Sequence, residues 1–144
     1  MKIVLDTNVL VSGLINPYGA PAATLRLVLN QTVTLLYDVR LLLEYREVLL
    51  RPRFNFNSLQ VEKFLQALEV LGVPINAKPL KIKLPDPDDL MFIEVAKSGL
   101  ADYLVTGNLK HFLNKQIKGI HIVAPHTSID LITKGKEKLS NDQN

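Results

Sequence analysis

Cysteine is missing from this sequence altogether. Without a thiol the chain can have no disulfide, no thiolate zinc site and no cysteine nucleophile. Long apolar runs are missing too. No stretch of about 18 apolar residues occurs, so no membrane-spanning helix is expected. The N-terminus does not read as a secretory leader, because Met1-Lys2-Ile3-Val4-Leu5-Asp6 meets an acid after three apolar residues. The expectation is a cytoplasmic protein. Charge of one sign is scarce as well. The 17 basic and 14 acidic side chains leave a net charge of +3, too mild to mark a nucleic-acid binder by itself. Part of the excess is Lys134, Lys136 and Lys138, in what reads as a flexible C-terminal tail over 134–144.

What is present suffices for one core: 144 residues, 47% of them hydrophobic, with no repeat or linker to divide them. A single domain is expected over 1–133. Short apolar runs at 2–6, 33–37, 103–106 and 120–123 read as buried strands. Residues 73–84 read as irregular or as a short edge strand, and Asn16-Pro17-Tyr18-Gly19 as a turn. Helices are expected near 21–30 and over 39–50, the latter stopped by Arg51-Pro52. Another begins at Asn57 or Ser58 and is closed by Gly72. A fourth runs from 87 to about 98, and a last one starts near Pro125 and frays after Ile132. Strands alternating with helices predict an α/β fold, three layers with a central, mainly parallel sheet of four to five strands. Ligands of such sheets bind beyond the carboxyl ends of the strands.

Three acids are placed to reach that edge. Asp6 ends the first strand, where it could equally cap the following turn. Glu44 lies on the flank of the apolar stripe formed by Leu41, Leu42, Tyr45, Val48 and Leu49, whereas Glu47 points to solvent. Read singly, Glu44 is also an ordinary boundary glutamate. In Asp86-Pro87-Asp88-Asp89, Asp86 fits an N-cap and Asp88 the first helical turn. Asp89 does not fit that account, because it shares the inward face of Phe92, Ile93 and Ala96. A carboxylate there needs a cation to receive it. Glu94 is expected on the outer face with no role. Convergent carboxylates suit Mg²⁺ or Mn²⁺, and such an ion can activate water against a phosphodiester. His111, His121 and His126 have no metal-ligand spacing and read as structural or surface residues.

Taken together, these segments resemble a known family. Val4-Leu5-Asp6-Thr7-Asn8-Val9-Leu10 is similar to the opening signature of PIN domains. Leu41-Leu42-Leu43-Glu44-Tyr45-Arg46-Glu47 resembles their acidic helix, and the segment from Pro85 to Asn108 their third and fourth motifs. The likeness extends to about residue 132 and is nearest to PIN domains that are the toxins of toxin–antitoxin pairs. It implies a metal-dependent endoribonuclease, commonly a homodimer, held inactive by a small antitoxin protein. By resemblance Asp6, Glu44 and Asp89 are metal ligands and catalytic residues, with Asp86 an auxiliary acid. The family's fourth acid, after threonine-glycine, is replaced here by Asn108, whose carbonyl oxygen is a neutral ligand at most. Thr7, Asn8 and Thr106 become neighbouring hydrogen-bonders, or else turn and capping residues.

The leading expectation is thus RNA hydrolysis by metal-activated water. The alternative, which Asn108 keeps open, is a weak or inactive PIN-like module that binds or regulates. A phosphatase with an aspartyl nucleophile fits poorly, because Thr7-Asn8 supplies no second aspartate two residues after Asp6. RNA contacts, if basic side chains make them, would fall to Arg40, Arg46, Arg51, Arg53 and Lys110, with Phe54 available for stacking.

Overall fold

Ile3, Val4 and Leu5 are completely buried, as strand β1 (Lys2–Leu5) requires at the centre of a sheet covered on both faces. The protein, a computed structural model, is described over residues 1–112 and 119–142, with side chains as far as Gly135. Four more strands complete the sheet: β2 (Thr34–Tyr37), β3 (Val73–Pro74), β4 (Tyr103–Val105) and β5 (Ile122–Val123). Their order is β3-β2-β1-β4-β5 and every pairing is parallel. Ile3 stands opposite Leu35 on one side and Tyr103 on the other. Among the described residues six α-helices cover this sheet, giving the expected three-layer arrangement.

Local chemistry sets most helix ends. Helix α1 (Thr7–Ile15) starts directly after Asp6, and α2 (Ala20–Leu29) carries proline in its first turn. The two helices pack closely at Gly13, where a β-carbon would come within 2.6 Å of Leu25 Cδ1. Helix α3 (Val39–Leu49) is capped by the Asp38 carboxylate, which accepts the Leu41 N–H at 3.1 Å. Asn57 does the same for α4 (Ser58–Leu71) through the Gln60 N–H at 3.0 Å, and Gly72 follows its last turn. Asp86 accepts the Asp88 N–H at 2.9 Å and opens a 3₁₀ turn, Pro87–Asp89, that leads into α5 (Leu90–Ser98). Helix α6 spans Pro125–Asp142.

Two expectations need correction, and one helix was not anticipated. Residues 7–15, to which the sequence reading gave no element, form α1. Thr7, Val9, Leu10 and Gly13 give it a buried face at helical spacing. Helix α6 continues past Ile132 to Asp142 instead of fraying there. Glu94 is not on an outer face: it is 6% exposed, within the buried run Phe92–Ala96. The chain over 75–84 crosses the side of α5 that the helical wheel assigned to water. Leu80 N–H donates to Glu94 Oε2 at 2.8 Å and Lys78 N–H to the Ser98 hydroxyl at 2.8 Å. Arg40 supplies the countercharge, its guanidinium 2.7 Å from Glu94 Oε1. Among the described residues no helix is long and apolar enough to cross a membrane.

Candidate active site

Strand order turns back on itself between β1 and β4, the place where parallel sheets open a crevice for ligands. Asp6 leaves β1 at this point beside Thr106, which follows β4. The Asp6 side chain is nearly buried, and Asp6 N–H donates to Val105 O at 2.9 Å. Thr106 Oγ1 donates to Asp6 Oδ2 at 2.7 Å, and Asn8 Nδ2 donates to the same oxygen at 3.2 Å. The loop after β4 locks these donors in turn: Gly107 N–H donates to Asn8 Oδ1 and Asn108 N–H to Thr106 Oγ1, each at 3.0 Å. Below them the buried Tyr45 hydroxyl donates to Leu5 O at 2.6 Å, fixing the end of β1 against α3.

Glu44 comes from the middle of α3 and is half-buried. Its Oε2 accepts a short hydrogen bond from the Thr7 hydroxyl. Asp89 ends the 3₁₀ turn before α5 with a side chain only 13% exposed, and its Oδ2 lies 3.1 Å from His111 Nδ1. The other ring nitrogen, Nε2, is 2.8 Å from Asn108 Nδ2. Each of the three acids thus has one oxygen held by a side-chain donor.

The electrostatics show that these groups feel one another. Burial raises the Asp6 carboxyl above its ordinary range, opposed by hydrogen bonds from Thr106 and the Thr7 backbone; the Glu44 charge adds to the rise and His111 subtracts from it. Asp89 is pushed up to about 6, first by burial and then by the charges of Asp6 and Asp86, with His111 pulling the other way. Tyr45 is raised well above the usual phenol value by burial and then by Asp6, Glu44 and Asp38. Partly buried carboxylates at which neighbouring acidic charge disfavours ionisation, as at Asp6 and Asp89, are the donor chemistry of a hard divalent cation site. Among the described residues no three acidic or histidine side chains are already gathered closely enough to enclose an ion. The fit is therefore one of donor type and charge.

Comparison with known proteins gives this geometry its context. The model of the PIN domain matches residues 2–110. The chain belongs to the PIN-domain family. An uncharacterized protein of Methanocaldococcus jannaschii is 32% identical over 135 residues, covering 87% of this chain and 86% of that one. No solved structure matches. PIN domains are generally nucleases, a class of hydrolase.

The remaining residues singled out in the sequence divide by position in this PIN domain. Asp86 caps the turn that carries Asp89 and reaches Asp89 through its charge. Glu47 is exposed and pairs with Arg51 at 2.8 Å. Arg46 is tied to Glu62 at 3.0 Å, and Arg40 bridges Asp38 and Glu94, each at 2.7 Å. Arg40 nonetheless borders a cleft of about 480 Å³ that Glu44, Asp88 and Met91 also line. Arg53 covers Phe54 at 4.7 Å, and Phe54 stacks on Phe56 at 5.6 Å. That group lies past the far end of α3, which is about 8 Å further along the axis than Glu44 at about 1.5 Å per residue. Lys110 is exposed in the short turn Leu109–Phe112, immediately after Asn108. His111 is the residue that reading the sequence missed. Its signal was the spacing from Asn108, since three residues within one helical turn bring two side chains to the same side.

Proposed function

We propose that this PIN domain is a Mg²⁺- or Mn²⁺-dependent endoribonuclease in which Asp6, Glu44 and Asp89 hold the metal and are the catalytic residues. One observation carries the reading: Asp6, Glu44 and Asp89, from three separate elements, each accept a side-chain hydrogen bond, and the charge of Glu44 is felt at Asp6 and that of Asp6 at Asp89. When bound there, a divalent ion acidifies water and offsets charge on a phosphodiester. The chain's own part is to hold the acids in register. Thr106 and Asn8 orient Asp6, Thr7 orients Glu44, and the buried Tyr45 fixes the strand end from which Asp6 projects. Asn108 can offer a neutral oxygen, and Asp86 supports the turn. The cleft lined by Arg40 and Glu44 is the proposed path of the RNA strand, with Arg40 and Lys110 its proposed cations. Family likeness alone supports three further parts of the proposal: a role as the toxin of a toxin–antitoxin pair, a small antitoxin protein as partner, and a homodimer.

The test is cleavage of a mixed single-stranded RNA pool with Mn²⁺ or Mg²⁺. We expect the wild type to cut, chelator to stop it, and Asp6→Asn to lower the rate by at least about a hundredfold, as loss of transition-state charge stabilisation does. Equal activity in wild type and Asp6→Asn would remove the site from consideration. The substitution of the fourth acid by Asn108 favours a second reading, a PIN module that binds without cutting. Calorimetry decides between them, since that module takes up no Mn²⁺ and the nuclease does.

A further inference from the structure

We infer that His111 is a positioning residue of the site, its ring held by Asn108 so that Nδ1 faces Asp89. The inference deepens the metal-site proposal and rests on it for its functional consequence. Its basis is the chemistry of two contacts. An amide nitrogen only donates, so Asn108 Nδ2, at 2.8 Å, makes His111 Nε2 the acceptor. The single proton of a neutral ring then sits on Nδ1, where it donates to Asp89 Oδ2 at 3.1 Å. With the amide reversed, a neutral ring would donate from Nε2 and turn a bare Nδ1 towards a carboxylate. For a neutral ring, only the first arrangement satisfies all three groups.

These contacts close a chain across the crevice. Asp6 accepts from Thr106, Thr106 accepts from the Asn108 N–H, and the Asn108 side chain donates to His111, which donates to Asp89. The loop after β4 is thereby a clasp between an acid on β1 and an acid ahead of α5. Asparagine at 108 and histidine at 111 are matched parts of it. A carboxylate at 108 would face Nε2 with another acceptor, and the ring could then serve both neighbours only as imidazolium. Asn108 thus has a structural logic of its own: its amide nitrogen is committed to the clasp, which turns its carbonyl oxygen away from His111.

Two measurements on the full chain test this. The first is long-range ¹H–¹⁵N NMR of the metal-free protein above pH 8, which reads the tautomer directly. We expect the proton on Nδ1 of His111 and loss of that signature in Asn108→Asp; a proton on Nε2 in the native chain overturns the inference. The second is Mn²⁺ calorimetry on wild type, His111→Ala and His111→Asn. Loss of a ligand's supporting partner costs metal affinity about tenfold or more, so His111→Ala binds about tenfold more weakly. His111→Asn keeps an N–H donor where Nδ1 stood and recovers most of the loss. Equal affinities for wild type and His111→Ala, or no recovery in His111→Asn, overturn the positioning role. A wild type that binds no Mn²⁺ instead overturns the metal-site proposal, and the tautomer measurement then still judges the Asn108–His111–Asp89 clasp.

Discussion

Asp89 concentrates the tension in this site. Its carboxyl titrates at about 6 because burial and the neighbouring charges of Asp6 and Asp86 oppose its ionisation. A group whose folded pKa lies above its ordinary value favours the folded chain most below that ordinary value. The contribution is lost as pH rises through the folded value. The metal-free protein should therefore lose stability between about pH 4 and pH 6, where Asp89 gains its charge. Asp89→Asn removes that charge and keeps an oxygen able to accept the His111 N–H. In chelator, we expect the variant to melt a few degrees above wild type at pH 7.5, with the gap closing towards pH 4. Mn²⁺ should reverse the order at pH 7.5 by raising the wild type alone. Scanning calorimetry at both pH values, with and without Mn²⁺, checks this; a gap independent of pH would mean that Asp89 is not the strained group.

At the scale of elements, the clearest lesson comes from α5. A helical wheel correctly turned Phe92, Ile93 and Ala96 inward, but it treats everything outside one stripe as solvent. The strap over 75–84 is invisible to it, and that strap buries Glu94. Helix α1 was obscured for a similar reason. Asp6-Thr7-Asn8 carries turn chemistry, and the helical spacing of Val9, Leu10 and Gly13 begins only beyond it. Caps were the legible part: Asp86, Asn57 and Gly72 all stand where their residue types predicted. Glu94 makes the contrast measurable. It sits between Arg40 and the Leu80 N–H, so Glu94→Ala leaves a buried donor and a cation without their acceptor. Breaking a buried pair costs about 3 kcal/mol or more, and the half-exposed Arg40 reduces that to about 2 kcal/mol. Urea unfolding should show this loss, against less than about 0.5 kcal/mol for Glu47→Gln on the solvent face of α3. Similar losses in the two variants would mean that the strap does not seal α5.

For the whole molecule, the sequence made the fold class readable, since strand ends and helix faces follow from short-range periodicity. It could not make the charge pairing readable, because the partners lie far apart along the chain. Arg40 meets Glu94 and Arg46 meets Glu62 only after folding. That pairing alters how RNA should be held. Arg40, Arg46 and Arg51 are each engaged by carboxylates, and the net charge is only +3. Three of the five cations proposed to meet RNA are thereby occupied by carboxylates, so few phosphate contacts are expected. Single-stranded binding scales as about −0.7 per phosphate neutralised on a log–log salt plot. With two or three contacts, the slope for the Asp6→Asn protein on a labelled single strand should be about −1.5 to −2. Fluorescence anisotropy across a salt series measures it. A slope steeper than about −4 would require roughly six phosphate contacts. Either basic side chains beyond those five would then take part, or the paired arginines would release their carboxylates on binding, with the Arg40–Glu94 bridge the first place to look for a rearrangement.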